Sequence, residues 1–133
     1  STSFPDTDFP MMRYADVLLM AAECSLHSES GISHSDGLKY FNEVRTRAGV
    51  RNLKSLNAQT ILDERARELY LELWRRQDLV RFNQFTTSDY LWDWKGGVRN
   101  GQAVADYMNL YPIPTSDLMV NSENLEQNDG YTK

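Results

Sequence analysis

Four charged residues at helical spacing, Glu64, Glu68, Arg75 and Asp78, are the first place in this sequence where chemistry could reside. They lie in residues 64–82, ERARELYLELWRRQDLVRF, set inside the apolar surface of an amphipathic stretch rather than opposite it. At about 100° per residue, Leu62, Ala66, Leu69, Leu73 and Val80 form one stripe. Ile61, Leu71, Leu79 and Phe82 share a second sector with the four charges. A helix apolar on two sides is sandwiched between neighbours. Two carboxylates can act as acid and base on a glycosidic bond, but only across a cleft roughly 5–10 Å wide. Here arginines at helical spacing neutralise them instead. A carboxylate-bridged metal pair would show Glu-x-x-His motifs, and neither His27 nor His34 follows a glutamate at that spacing. Glu64, Glu68, Arg75 and Asp78 are therefore read as structural ion pairs, with no catalytic residue and no metal among them.

A second cluster, residues 90–97 (YLWDWKGG), suits contact rather than reaction. In extended backbone Tyr90, Trp92 and Trp94 point the same way. Their flat faces match the apolar faces of sugar rings, while Asp93, Lys95 and Arg99 offer partners for hydroxyls. The competing reading buries both tryptophans against the long helix to pin the loop, because Trp contributes large area to cores. Packing is preferred; an exposed pair would reverse that choice. His27 and His34 flank a polar turn and read as solvated. Cys24, the one cysteine, excludes an internal disulfide and reads as a buried, inert thiol. No phosphate loop or nucleophile elbow occurs, and no cofactor is implied.

The elements that must position these residues are helical. Pro5 and Pro10 make residues 1–10 an extended lead-in. A helix is expected over residues 12–28, with Tyr14, Val17, Leu18, Ala21 and Ser25 on one side and Ala21 and Ala22 leaving room for a neighbour. After the polar break SESGISHSDG, Ser33 or Ser35 caps a second helix that runs to Ala48 and stops at Gly49. Asn57 caps a long third helix reaching residue 83 or 84. Residues 86–106 read as an ordered loop, Tyr111-Pro112-Ile113-Pro114 as an extended strap packed on helices, and Thr115 or Ser116 as the cap of a short helix to Val120. The fold class is all-α: a tetratricopeptide-like helix pair plus a long third helix, with a loop-rich C-terminal end.

Size and charge bound the rest. The chain's 133 residues suffice for one domain, read as residues 1–133, and 41% of them are hydrophobic. A net charge of −5 argues against a phosphate-tracking surface and so against nucleic acid. No apolar run approaches the roughly 20 residues that span a bilayer.

Four segments, FPMMRYADVLLMAAE, FNEVRTRAGV, ERARELYLELWRRQDLVRF and NLYPIPTSDLMVNSENLEQNDGY, occur in one order. Together they resemble the C-terminal part of SusD/RagB-family proteins. The third motif usually reads ER-x-x-EL-x-F-E-G, then R and DL-x-R-W. Leu71, Leu73 and Phe82 stand where phenylalanine, glycine and tryptophan are usual, and Asp129 replaces the proline of the last motif. The resemblance implies a superhelix of tetratricopeptide-like pairs in a non-enzymatic, lipid-anchored protein on the outer-membrane surface. Such proteins bind a glycan, or in some relatives a peptide, above a TonB-dependent transporter, the SusC-like partner. It also implies that this chain is the C-terminal piece of a longer protein whose lipid anchor lies elsewhere. Within the family, ligand residues lie largely N-terminal to this segment, so no binding residue is carried over to the motifs.

Overall fold

Helix begins where residue 13 hands over from extended backbone to Tyr14, and five α-helices follow: α1 (Tyr14–Cys24), α2 (His34–Arg47), α3 (Ala58–Glu68), α4 (Arg75–Arg81) and α5 (Thr115–Val120). The computed structural model describes residues 8–131, and among them there is no strand. Most of the extended lead-in expected over residues 1–10 lies outside those residues. The chain divides into two compact units, Ser1–Asp78 and Leu79–Lys133, the division falling within α4.

In the first unit α1 packs along α2 and more lightly on α3. Ala15, Leu18, Leu19 and Ala22 recur at the spacing of one helical face and bury with Phe41, Val44, Ile61 and Leu62. Each large side chain so buried contributes about 1.5–3 kcal/mol. The buried face is rotated from the one expected: Asp16 is inside, whereas Tyr14, Val17 and Met20 are exposed. The helix is also shorter than expected. Bonds from Leu26 N to Glu23 O and from His27 N to Cys24 O tighten its end into i→i+3 turns. Cys24 is exposed rather than buried, because it sits on the far side of α1 from Ala15 and Leu19.

Close approach of α1 and α2 depends on a glycine. A Cβ on Gly37 would lie 1.9 Å from Ser25 Oγ, so no other residue fits there without displacement. Ser33 Oγ accepts from Asp36 N (3.1 Å) and caps α2. Val50 N to Arg45 O and Gly49 N to Thr46 O, both 3.0 Å, close the helix as a Schellman motif with Gly49 at φ +70°. The Asn42 amide then fastens the connection by donating to Leu53 O (3.0 Å) and accepting from Leu53 N (2.8 Å). Asn57 Oδ1 caps α3 by accepting from Thr60 N at 2.8 Å.

The single long helix expected through residue 82 is instead α3 and α4 joined by an elbow at residues 69–74. Leu71 and Leu73 both adopt φ +64°, a left-handed conformation no helix continues through. The reason lies in what the elbow brings together. Thirteen residues of unbroken helix span about 20 Å. Yet Arg65 Nε lies 2.9 Å from Asp78 Oδ1, and Arg75 Nη1 donates to Leu62 O at 3.0 Å, both pairs thirteen apart in sequence. The chain must fold back to make either contact. Arg13 satisfies the end of α3 by donating to Glu68 O at 2.7 Å.

In the second unit the loop-rich segment is closed by side chains acting as backbone partners. Gln127 Oε1 accepts from Ile113 N (2.8 Å) and its Nε2 donates to Ile113 O (2.9 Å). Asn128 donates to Tyr111 O, and Tyr131 Oη to Leu110 O. Gly130 permits this clasp, since a Cβ there would sit 2.4 Å from the Tyr107 ring. Tyr111, expected to pack, is exposed. Neither Thr115 nor Ser116 caps α5: Pro114 holds the cap position, without a side-chain bond.

Leu73 is 79% exposed, so its left-handed strain is not repaid by burial. Leu73→Gly removes strain of about 1–2 kcal/mol and gives back part of it as unfolded-state entropy. Urea denaturation should show a net gain of about 0.5–1 kcal/mol, and a loss of stability would rule out strain at this position.

Candidate functional site

Of the four charges singled out in the sequence, none is left facing an open cleft alone. Glu64 is buried, and its Oε2 accepts from Arg45 Nη1 (2.6 Å) and Arg67 Nη2 (2.7 Å). Glu68 is held between Arg13 Nη1 (2.9 Å) and Arg47. Arg13 also reaches Glu72, and that hydrogen bond, above all, raises its pKa. Asp78 shares the Arg65 guanidinium with Asp16, whose Oδ1 lies 2.7 Å from Arg65 Nη1. All three members of that triad are about 2–3% exposed. Burial pushes the Asp78 carboxyl above the usual range, and the bond from Arg65 opposes the shift. The cations that engage the acids include Arg13, Arg45, Arg47, Arg65 and Arg67, drawn from neighbouring elements as well as from α3. Arg75, expected among the ion pairs, donates to the Leu62 carbonyl and adds positive field at Asp78. Asp16 and Arg65 were missed. The signal for Asp16 was a charge surrounded by YA and VLLM, where only a paired carboxylate is tolerated.

The aromatic loop belongs to the second unit. Trp92 is 37% exposed and Trp94 67% exposed, while Tyr90 is half-buried. The burial preferred from sequence is therefore met by neither tryptophan, Trp94 being the more exposed. Trp92 does stack: its ring centroid lies 6.0 Å from Phe85 and 6.1 Å from Tyr90. Trp94 sits at φ +70°, a conformation that costs a non-glycine residue about 1–2 kcal/mol. Two costs meet at one residue, a strained backbone and an exposed indole. The Trp94 backbone N–H donates to Arg99 O at 3.3 Å, closing the loop behind it.

Lys95, assigned to hydroxyl contact in the sequence reading, is instead 2% exposed. Its ammonium donates to Thr87 O (2.5 Å), Tyr90 O (2.7 Å) and Gln84 O (3.4 Å), and lies 4.7 Å from the Trp92 ring centroid. Burial pushes its pKa below the lysine range, with Asp89 opposing. Beside it, a cleft of about 550 Å³ is lined by Phe85, Trp92, Gln102, Val104 and Met108. Gln102 Nε2 donates to Gly96 O at 3.1 Å, an approach that only glycine at position 96 allows, since a Cβ would meet Gln102 Cγ at 2.7 Å. An apolar, aromatic-walled cleft with few polar groups is the usual form of a small-ligand site.

His27 and His34 are exposed. Among the described residues, no group of three or more His, Cys, Asp or Glu side chains is placed to hold a metal ion. No described helix is long and apolar enough to cross a membrane.

The family model described as SusD family matches residues 1–131. The starch-binding protein SusD of Bacteroides thetaiotaomicron is 48% identical over 130 residues, which cover 97% of this chain and 22% of that protein. The SusD-like protein P25 of Formosa agariphila is 34% identical, over 91% of this chain and 24% of its own length. Among solved structures, surface glycan-binding protein A of Bacteroides thetaiotaomicron superposes with a TM-score of 0.71 at 27% identity, over 91% of this chain and 24% of that one. The chain thus spans about a quarter of the length of these relatives.

The loop's geometry rests on Gly101, where φ is +75° and a Cβ would lie 2.5 Å from Trp92 O. Gly101→Ala should cost about 2–3 kcal/mol through left-handed strain and overlap. Denaturation followed by tryptophan fluorescence reads the loss; a change below about 0.5 kcal/mol would mean that the loop is not held as described.

Proposed function

The chain belongs to the SusD family, and on that premise we propose that it is the C-terminal helical part of a surface nutrient-binding lipoprotein. That protein captures an oligosaccharide and passes it to a SusC-like TonB-dependent transporter in the outer membrane, to which a lipid anchor outside this chain holds it close. The observation that carries the reading is near-complete coverage of this chain at 48% identity by a relative named for starch binding. The name of the structural neighbour, a surface glycan-binding protein, supports the same class.

The mechanism is capture, not bond cleavage. Glycoside hydrolysis would need a free acid and a free carboxylate facing one cleft, whereas Glu64, Glu68 and Asp78 are each engaged by arginine. We assign these carboxylates, with Arg75, to architecture. Ligand contact falls instead to Tyr90, Trp92 and Trp94. The exposure of Trp94 favours sugar contact over a purely scaffolding loop, because an indole face offers apolar area to the C–H face of a pyranose while leaving its hydroxyls in water.

Isothermal titration of the protein with malto-oligosaccharides tests this. Trp94→Ala should weaken binding by about 1–2 kcal/mol, roughly five- to thirtyfold, the range for an aromatic anchor. Unaltered affinity would remove Trp94 from the ligand surface. No heat with any member of a glycan panel would defeat glycan capture, and heat with peptides alone would move the protein to the peptide-binding relatives.

A further inference from the structure

Lys95 is a buried ion without a carboxylate in ion-pair distance among the described residues; what surrounds it is backbone. Three carbonyl oxygens, from Gln84, Thr87 and Tyr90, converge on Nζ. Three acceptors match the three donors of a protonated ammonium, whereas a neutral amine has only two. The Trp92 ring supplies a fourth contact through its π face at 4.7 Å. The arrangement is that of a cation site whose cation is tethered to the chain.

What this cation touches is specific. Its side chain bonds Tyr90 O and meets the Trp92 ring, its backbone N–H donates to Trp92 O at 3.1 Å, and Trp94 is its covalent neighbour. Its own carbonyl accepts from the backbone N–H of Gln102, another residue lining the cleft, at 3.0 Å. One residue therefore touches the Trp92 ring and the backbone on either side of it, at Tyr90 and Trp94. The carbonyls it gathers lie in residues 84–90, the segment that carries Phe85 and Tyr90. With no cation between them, those oxygens point at one another in a buried space and must separate or hydrate.

We propose that Lys95 is the positioning residue of the sugar-contact surface, a tethered cation that draws the carbonyls of Gln84, Thr87 and Tyr90 together and so fixes Tyr90, Trp92 and Trp94 in their ligand-ready arrangement. This rests on the reading above that these aromatics meet a glycan. Lys95 does not touch the ligand; it acts by preorganisation, which raises affinity by removing the cost of ordering the loop on binding.

The test compares the protein with its Lys95→Met and Lys95→Ala variants, reading malto-oligosaccharide affinity by titration and aromatic packing by near-ultraviolet circular dichroism. Lys95→Met keeps an unbranched side chain one atom shorter and removes the charge. It should retain helical far-ultraviolet signal, lose near-ultraviolet tryptophan signal and bind about tenfold more weakly. Lys95→Ala opens a space that propylammonium fills and charges; added propylammonium should restore both readouts and propanol should not. If Lys95→Met does not fold, the alanine variant with propylammonium gives the same answer. Wild-type affinity and aromatic signal in Lys95→Met would overturn the proposal, as would equal rescue by propanol, which would make the role one of volume alone. Absence of glycan binding by the unmodified protein would instead overturn the reading on which the proposal rests, and the two failures are distinct.

Discussion

Arg65 clamped between Asp16 and Asp78 is the constraint on which the first unit depends. Its guanidinium, about 2% exposed, joins α1, α3 and α4 at a single point. Removing three charges from water costs several kcal/mol per ion, and the arrangement is tolerable only because each carboxylate meets a guanidinium N–H at hydrogen-bond distance. That requirement is directional in a way that apolar burial is not. It fixes the rotation of α1, putting Asp16 inside and Val17 outside, and it fixes the return of the chain after α3.

The elbow follows from the same demand. A straight helix through residues 64–82 would satisfy the hydrophobic pattern and every helix propensity, yet it would strand Asp78 about 20 Å from Arg65. The structure accepts two leucines in left-handed backbone to avoid that outcome. Around the triad a more exposed layer repeats the logic. Arg45 and Arg67 hold Glu64, and Arg13 and Arg47 hold Glu68, tying α2 and the start of α1 to α3. In the second unit the same physics runs with fewer charges. Lys95 replaces a counter-ion with carbonyls, and the Gln127 and Asn128 amides stand in for an adjoining strand along residues 111–113.

Local chemistry made much of this legible. Ser33, Gly49 and Asn57 act as read from sequence, because caps and left-handed termini are decided by neighbouring backbone alone. The all-α class and the helix pair followed from periodicity, and four motifs carried the family. Periodicity could not show the elbow, since Leu71 and Leu73 suit either face of a helix. The usable signal lay in the motif itself: Leu73 occupies the position where glycine is usual, and it is one of the two left-handed residues there. Pairing partners were illegible because Asp16 and Arg65 are 49 residues apart, a contact that only tertiary packing creates. Exposure of Trp94 was equally unreadable, since sequence does not say which side of a glycine-rich loop faces out.

Chemical denaturation of Arg65→Met at two pH values tests the account most directly. With the guanidinium gone, Asp16 and Asp78 face each other buried without the cation they share, and the Asp78 carboxyl pKa, already raised by burial, rises further above its unfolded value. Stability that depends on protonating them is present at low pH and lost as pH rises. The variant should therefore be weaker than the parent by about 3–5 kcal/mol at pH 7, with the deficit shrinking toward pH 5. A deficit below about 1 kcal/mol at pH 7, or one independent of pH, would contradict the claim that this buried ion cluster sets the course of the chain.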